Sequence, residues 1–437
     1  MIDPSPEQSG IFFASNNYKR KHMNNLNRHA LLPICTIACF SVAAKADFLN
    51  DSTAKLQMRN YYFQREYSDI RGAEKKQNEE WAQGFILDYT SGFTEGTFGF
   101  GIDILSLTGI KLDGGPGRSG SGLLPIGSDG DNQTEYSRVA ATAKVKFGDT
   151  IAKFGEIRPN VPVLRATDNR LLPTTYQGFE ITSKELPNST ISAAHLNSIK
   201  LRNQSGDGAF TPMLGATPYF NVEADSFSYA GGDFTLGRNT TLSAWHGELN
   251  DVFRQNYVGV ASRFDVGRVT LKPTAGYYLS NDAGDAKVGD ISSRAYYANI
   301  TATDNGRSYI LGYQAIRGNT GLPRVFINIS QMGNETATYD FTTRGQTSYM
   351  IGYQYDFARI GVPGLTFGSK FTYGHDAVAK NTTDGQDRQY EADLAYVVQS
   401  GQLSGLGIRA RYAHSRSDYR TDINEYRLLF TYDINLF

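Results

Sequence analysis

The sequence offers little of what disulfides and metal sites require. Its only two cysteines, Cys35 and Cys39, lie near the N-terminus, inside a segment with the features of an export signal. The remainder of the chain has no cysteine, so it needs neither a disulfide nor a thiolate-bound metal. The six histidines are scattered, with no His-Glu-x-x-His or similar ligand spacing. We therefore expect no metal and no other cofactor.

Long apolar runs and an excess of one charge are also missing. Beyond the N-terminal segment no apolar run reaches about 18 residues, which argues against helices that span a membrane. Lys and Arg total 43 against 44 acidic residues, and this balance argues against a nucleic-acid surface. The chain is instead rich in glycine (45), tyrosine (27) and phenylalanine (25), which suits short strands, many turns and aromatic girdles.

The N-terminus has the pattern of an export signal. Arg28 precedes an apolar run over 30–42, and Ala44-Lys45-Ala46 is a small-x-small cleavage pattern. We predict a leader and signal peptide over residues 1–46 and one domain over residues 47–437.

Two alternatives concern this segment. Met23 could be the true start, because the polar stretch before it is long for an ordinary signal peptide. A lipid anchor at Cys39 stays open, although the tetrapeptide 36–39 lacks the usual Leu at its first position.

Alternating hydrophobicity continues from about residue 55 to the C-terminus. In the stretch 424–434, Tyr426, Leu428 and Phe430 share one face, and Arg427 lies on the other. A period of two residues is typical of strands with one apolar and one polar face. We predict 18 strands, an even number as is usual for outer-membrane barrels, near 55–65, 81–91, 96–107, 135–147, 150–157, 176–183, 190–198, 225–236, 240–248, 255–265, 268–280, 291–303, 307–315, 346–357, 364–374, 389–398, 406–415 and 424–434.

Short and long connections alternate along these strands. Tight joins such as Gly148-Asp149 take turns with stretches such as 108–133 and 316–345. A membrane barrel explains this order, because its periplasmic turns are short and its extracellular loops are long. We predict an all-β fold, a single 18-stranded antiparallel transmembrane β-barrel in the outer membrane of a Gram-negative bacterium, wide enough to enclose water. A soluble all-β domain is the alternative, and it explains neither the signal peptide nor the loop order.

Basic residues on the polar strand faces are predicted to point into the lumen, since a charge facing lipid costs about 2–4 kcal/mol at the midplane. The first and last strands are neighbours in a closed barrel, so these cations form one wall on which guanidinium groups could attract a carboxylate. The alternative is that they are ordinary lumen residues paired with acids such as Glu391, Asp393 and Asp433. The candidate residues on strands are Arg59, Arg65, Arg138, Lys144, Lys370, Arg409, Arg411 and Arg427, and the same parity places Lys146 and Lys272 in the lumen.

The segment 158–175 is unusual for a solvated loop, because it has three prolines and a Val/Leu run. We predict that it folds back into the barrel, narrows the pore and presents Arg165 and Arg170 to solute; a rigid cap on the rim is the alternative. The Gly-rich segment 108–133 has no Gly-Lys-Ser/Thr ending, so we interpret it as an external loop rather than a phosphate loop.

An enzyme is a rival class of function. A serine hydrolase would need a nucleophile on a strained turn, but Ser121 lies in the Gly-rich loop. An outer-membrane hydrolase stays open, with a nearby serine and His195, His246, His375 or His414 as its base. A structural barrel with a plugged lumen is a third class.

Several stretches together resemble the OprD family of outer-membrane carboxylate channels. The resemblance covers the mature chain in order, at 56–65 (LQMRNYYFQR), 81–85 (WAQGF), 91–101 (SGFTEGTFGFG), 112–114 (LDG), 170–173 (RLLP), 361–367 (GVPGLTF), 396–401 (YVVQSG) and 424–428 (NEYRL). It implies an 18-stranded barrel with a narrow eyelet made by inward loops, and a ladder of basic residues that includes Arg65, Lys370, Arg409 and Arg411. The family takes up small carboxylate-bearing nutrients.

The resemblance also bears on substrate and partners. The stretch 162–173 resembles the branch that accepts aromatic and other monocyclic carboxylates. The other branch, for basic amino acids and short peptides, needs an acidic residue that 322–327 lacks, although Asp340 further along the chain could substitute for it. We therefore expect a selective porin for passive uptake of such carboxylates, not an enzyme. The expected partners are small carboxylates, outer-membrane lipid or lipopolysaccharide and the barrel-assembly machinery, with a monomer or weak trimer as the assembly.

Overall fold

The computed structural model describes residues 45–68 and 76–437. A short helix α1, Lys45–Asn50, precedes 18 long strands. Apart from the start of α1, the signal peptide expected over 1–46 lies outside the described residues. The strands are β1 Thr53–Ser68, β2 Gln77–Thr90, β3 Gly99–Asp113, β4 Glu135–Phe147, β5 Thr150–Ile157, β6 Thr175–Ser183, β7 Ser189–Lys200, β8 Phe227–Leu236, β9 Thr240–Leu249, β10 Phe253–Ser262 continuing as Phe264–Val266, β11 Val269–Asp282, β12 Ser292–Asp304, β13 Arg307–Gly318, β14 Thr347–Asp356, β15 Leu365–Ala379, β16 Thr382–Val397, β17 Gly407–Ser417 and β18 Asp422–Asn435.

These strands close into one antiparallel barrel. Each strand pairs with the next along the chain, and β1 pairs with β18 from Lys55 opposite Asn435 to Ser68 opposite Asp422. The 18 predicted strands are confirmed. Several run beyond their predicted ends, as β15 does to Ala379, because backbone pairing continues into the polar rim after the alternation of apolar residues has stopped.

The two faces of each strand differ as the period of two requires. On β4, Val139 and Phe147 are exposed to the outside, whereas Arg138 and Lys144 point inward and are buried. The outer surface is therefore apolar, and the polar residues are in the lumen. Within residues 45–68 and 76–437 no helix is long and apolar enough to cross a membrane.

The longest connections lie on one rim of the barrel, but short and long connections do not alternate as strictly as predicted. The four longest, 114–134, 158–174, 201–226 and 319–346, all lie on the extracellular rim. Strict alternation is wrong, however, because connections 250–252, 380–381 and 418–421 on that rim are short, and 357–364 and 398–406 on the periplasmic rim are longer. At 250–252 the hairpin closes tightly because β9 and β10 stay paired up to Leu249 opposite Phe253.

The hydrophobic core lies inside the barrel, where long loops pack against lumen-facing side chains. One cluster joins Val163 and Leu164 of loop 158–174 to Trp245 and Tyr278 on the barrel wall. A second cluster joins Leu171 and Leu172 of the same loop to residues of β1, β2 and β3. The lumen is thus narrowed by loops that bury apolar surface.

Candidate functional site: a basic wall at the narrowed lumen

Loop 158–174 crosses the lumen from one wall to the other. At its first half, the hydroxyl of Tyr278 on β11 donates to the carbonyl of Pro162 at 3.1 Å. At its second half, Leu171 packs so closely on β2 that a Cβ added at Gly84 would lie 3.0 Å from the leucine Cγ. The prediction that this segment folds into the barrel is therefore confirmed, and the rim-cap alternative is wrong.

Loop 319–346 also enters the lumen, which the sequence did not indicate. The amide of Gln331 donates to the Tyr278 hydroxyl at 3.0 Å, and the amide of Ala337 donates to the carboxylate of Glu391 on β16 at 2.6 Å. The two loops meet where the amide of Arg165 donates to the side chain of Asn328 at 2.6 Å. Tyr278 thus holds both loops, and together they narrow the centre of the barrel.

Six cations of adjacent strands form what we call the basic wall. The register places Arg411 of β17 opposite Arg427 of β18, and Arg65 of β1 opposite Glu425. All six point into the lumen, as their parity predicts. The basic wall consists of Arg59, Arg65, Lys370, Arg409, Arg411 and Arg427.

The basic wall is only partly neutralised, because its six cations share four carboxylates. Glu425 binds both Arg65 and Arg427, and its Oε1 accepts from Nε of Arg427 at 2.6 Å. Asp393 accepts from Nε of Arg409 at 2.9 Å and from Nε of Arg411 at 2.8 Å. The other two carboxylates serve one cation each: Glu391 lies 3.5 Å from Lys370, and Asp168 accepts from Arg59 at 2.8 Å. The expected pairing with Glu391 and Asp393 occurs, whereas Asp433 pairs with Lys55.

Exposure divides the basic wall into two layers. The side chains of Arg409, Lys370 and Arg59 are 37, 25 and 12% exposed. Those of Arg65 and Arg427 are buried, and both guanidinium groups lie over the ring of Phe63. The first three cations can therefore meet a solute, while the buried ones stand behind them and contribute charge.

Arg170 belongs to the buried layer of cations and does not line the passage. Its side chain is fully buried, lies over Phe63, and donates to the carbonyls of Ser121 and Asn169 at 3.1 and 2.9 Å. Burial, reinforced by the charge of Arg427, lowers the pKa of the Arg170 guanidinium to about 10, so it stays charged at neutral pH. It fixes the turn of loop 158–174 against loop 114–134.

Two further predicted residues tie loops or turns to the barrel wall, and a third, Arg165, bonds within its own loop. Arg138 is buried and donates to the carbonyls of residues 173, 201 and 204. Lys144 donates to the carbonyl of Ser91 at 2.7 Å and pairs with Asp103 at 2.6 Å, beneath the periplasmic turn 91–98. Arg165 is half-buried and its Nε donates to Asn160 at 2.8 Å. Geometry gives Arg138 and Lys144 anchoring roles.

The roles of the acidic residues in the loops were harder to predict from the sequence. Asp168, whose side chain is 49% exposed beside Arg59, was missed; its only signal is a place two residues before Arg170 in the inward loop. Asp340, the candidate for holding a cationic substrate group, is buried and pairs with Arg324 at 2.5 Å. The same arginine lies 3.2 Å from Glu335. Asp340 also lines a cavity on the extracellular side, whereas Glu335 is fully buried.

The histidines considered as catalytic bases lie on the outward face of the barrel. His195 is 2.9 Å from the hydroxyl of Ser228, and both are on the lipid-facing side of β7 and β8. His246 bonds to Asn256, and His375 stacks between Tyr349 and Tyr373. These positions are away from the lumen, where a solute would bind.

Above the loops a cavity of about 420 Å³ opens on the extracellular side. It is lined by residues of loops 201–226, 319–346 and 418–421 and by the end of β15, among them Tyr219, Tyr339, Tyr419, Arg344 and Lys380. This cavity faces the outside of the cell, which is the side from which a solute would arrive.

A closed barrel with an apolar outer surface, inward loops and lumen cations is a porin of the Gram-negative outer membrane. The chain belongs to the OprD family: the sequence model described as outer membrane porin, OprD family, matches residues 46–436. The predicted family, fold and location are thus confirmed. Members of this family are channels rather than enzymes, and no enzyme family is indicated.

Relatives match along nearly their whole length. Porin-like protein GalP of Pseudomonas putida is 33% identical, over 89% of this chain and 93% of GalP. The crystal structure of Pseudomonas aeruginosa OccK9 (OpdG) is 35% identical with a TM-score of 0.86, covering 89% of this chain and all of that one. That of Pseudomonas aeruginosa OpdK with vanillate is 34% identical with a TM-score of 0.83 and the same coverage.

Proposed function

We propose that this porin selects small carboxylate solutes, in particular aromatic and other monocyclic carboxylates, and lets them pass by diffusion. The observation that carries the proposal is the basic wall: six cations share four carboxylates where two loops narrow the lumen. Arg409, Lys370 and Arg59 keep exposed surface there. A carboxylate can exchange water for these donors as it passes.

Release is as important as attraction in a passive channel. A site that binds too tightly would hold its solute, so conduction needs several positions of moderate affinity. Here each exposed cation already has a carboxylate nearby, and its attraction for a further anion is correspondingly reduced. The wall therefore favours anions without forming one deep binding site.

The placement of the loop acids supports an anionic substrate. Asp340 and Glu335 both pair with Arg324 inside loop 319–346, which reduces their attraction for the cationic end of an amino acid. Asp168 is engaged by Arg59. The similarity to OpdK, whose crystal structure contains vanillate, an aromatic carboxylate, points in the same direction.

Planar-bilayer recordings with refolded protein test the proposal. Reversal potentials in a benzoate gradient should show that benzoate is preferred over arginine. Replacing two exposed cations, in Arg409→Gln/Lys370→Gln, should reduce that preference about tenfold, because each removed charge acts on an anion at close range. The matched control is Lys272→Gln, which removes an exposed lumen cation on the distant strand β11.

The outcomes separate the rivals. Preference for arginine over benzoate would instead support uptake of basic amino acids. Equal permeation of both, unchanged in the double variant, would refute selection by the basic wall. A lumen that passes no current would indicate a plugged structural barrel, and hydrolysis lost on replacing His195 or Ser228, with conductance intact, would indicate an enzyme.

A further inference from the structure

The outward face of the extracellular rim carries arginines directly opposite one another. Arg294 of β12 faces Arg317 of β13, and Arg388 of β16 faces Arg416 of β17. Like charges opposite each other on neighbouring strands destabilise a sheet. Two such pairs on one side of the barrel therefore require an explanation.

All four arginines point away from the lumen. Arg294 lies between the buried, lumen-facing Ser293 and Ala295, and Arg388 lies between the buried Asp387 and Gln389. Arg294 and Arg388 are themselves exposed. Because successive strand residues alternate between the faces, these side chains stand on the surface that meets the membrane.

Their height on the barrel corresponds to the lipid headgroups of the outer leaflet. Two residues towards the periplasm, on the same face, lie Tyr296 and Tyr390. Ile300 and Leu394 lie four residues further towards the periplasm on the same face, and both are exposed to lipid. Tyrosines form the girdle at the membrane boundary, so the arginines stand one pleat, about 7 Å, above it.

Partners within the protein do not neutralise this sector. Arg317 donates to the carbonyls of Gly345 and Gln346, and Arg416 lies 3.5 Å from Asp422. Within residues 45–68 and 76–437, neither Arg294 nor Arg388 makes an ion pair. Among the described residues, Arg416 is thus the one arginine of the two pairs that has a carboxylate partner.

Another outward arginine has an acidic residue on the neighbouring strand to offset its charge. Arg254 of β10 is also exposed at the extracellular rim, but it stands opposite Glu248 of β9 and Asn281 of β11. On the β1–β2 side, Glu79 pairs with Arg118 at 2.5 Å. Arg254 thus has an acidic residue opposite it, whereas in each of the two pairs one arginine stands opposite another.

We propose that the outward rim from β12 to β17 binds the phosphate groups of lipopolysaccharide in the outer leaflet. A phosphate offers several acceptor oxygens and bridges two guanidinium groups, which removes the repulsion within each pair. The two pairs are separated by β14 and β15, so the midpoints of the pairs lie four strand spacings apart, which places the two phosphate positions about 19 Å from each other. This inference does not depend on the transported solute.

Binding of lipid A tests the proposal with the full-length protein in a neutral detergent. Bisphosphorylated lipid A should raise the unfolding temperature, whereas dephosphorylated lipid A and inorganic phosphate at the same concentration should not. The variant Arg294→Gln/Arg388→Gln should lose about thirtyfold in affinity, at about 1 kcal/mol for each basic residue near a lipid surface. The control Arg254→Gln should bind as the parent protein does.

A second measurement separates ligand binding from a structural role. Without lipid, the double variant should unfold at the same or a higher temperature, because it has lost like-charge repulsion. Lower stability without lipid would overturn the proposal. So would equal binding of both forms of lipid A, an equal effect of inorganic phosphate, or an equal loss of affinity in Arg254→Gln.

Discussion

We predict that the ion pair between Asp168 and Arg59 limits how strongly the narrowed lumen attracts anions. Asp168 comes from loop 158–174, and its two oxygens accept from the guanidinium of Arg59 on β1. It occupies the position that the carboxylate of a passing solute would take. The change Asp168→Asn removes this charge while the loop stays anchored, because Arg59 also donates to the carbonyl of Arg170 at 3.2 Å.

The size of the effect follows from distance and exposure. A solute carboxylate that contacts Arg59 beside Asp168 would lie about 5 Å from the aspartate charge, where two unit charges repel by about 0.8 kcal/mol in water. The dielectric of water is appropriate because half of the Asp168 side chain is exposed. Removing the repulsion should therefore raise anion occupancy about fourfold.

Single-channel recordings measure this occupancy. The concentration of benzoate that half-blocks the chloride current should fall about fourfold in Asp168→Asn. Asp265→Asn is the matched control, since Asp265 lies towards the lumen on the continuation of β10, far from the basic wall. Unchanged or weaker block in Asp168→Asn would refute the idea that this carboxylate competes with the solute.

Two further predictions concern what holds the narrowed section together. Glu425→Gln should lower the free energy of unfolding by about 3–5 kcal/mol, measured by denaturant unfolding in detergent, because buried Arg65 and Arg427 lose their shared carboxylate; an unchanged midpoint would contradict this. Tyr278→Phe removes the two hydrogen bonds that the Tyr278 hydroxyl makes to the loops, which should destabilise the loop positions by about 1–3 kcal/mol. Single-channel conductance and current noise should therefore increase relative to the control Tyr277→Phe, whose side chain lies on the outward face. Identical traces for the two variants would show that Tyr278 does not hold the loops.

The barrel could be predicted from the sequence because its main signal is local. Alternation within a strand such as β18 depends only on which side chains face lipid, and parity then assigns Arg427 to the lumen. The order of loop lengths was a weaker guide. Short hairpins such as 250–252 occur on the extracellular rim too, since loop length depends on what each loop contacts rather than on its side of the membrane.

The details of the narrowed section could not be predicted, because they depend on contacts between distant segments. The inward course of loop 319–346 rests on bonds to Tyr278, Glu391 and Thr421, none of which is visible in its own sequence. Likewise, parity cannot distinguish exposed Arg409 from buried Arg427, since both face the lumen. Exposure is decided by which loop covers each residue.

If the basic wall selects carboxylates as proposed, sharing of acids between its cations reconciles attraction of the solute with its release. If each of Arg409 and Arg411 had its own acid, the pair would be neutral and would offer an anion little advantage over water. If neither had one, two guanidinium groups on neighbouring positions of β17 would repel each other and bind an anion strongly. One Asp393 between them holds both side chains in place and leaves one net positive charge. The same reasoning applies to Glu425 between Arg65 and Arg427, so the wall keeps a moderate positive potential along its length.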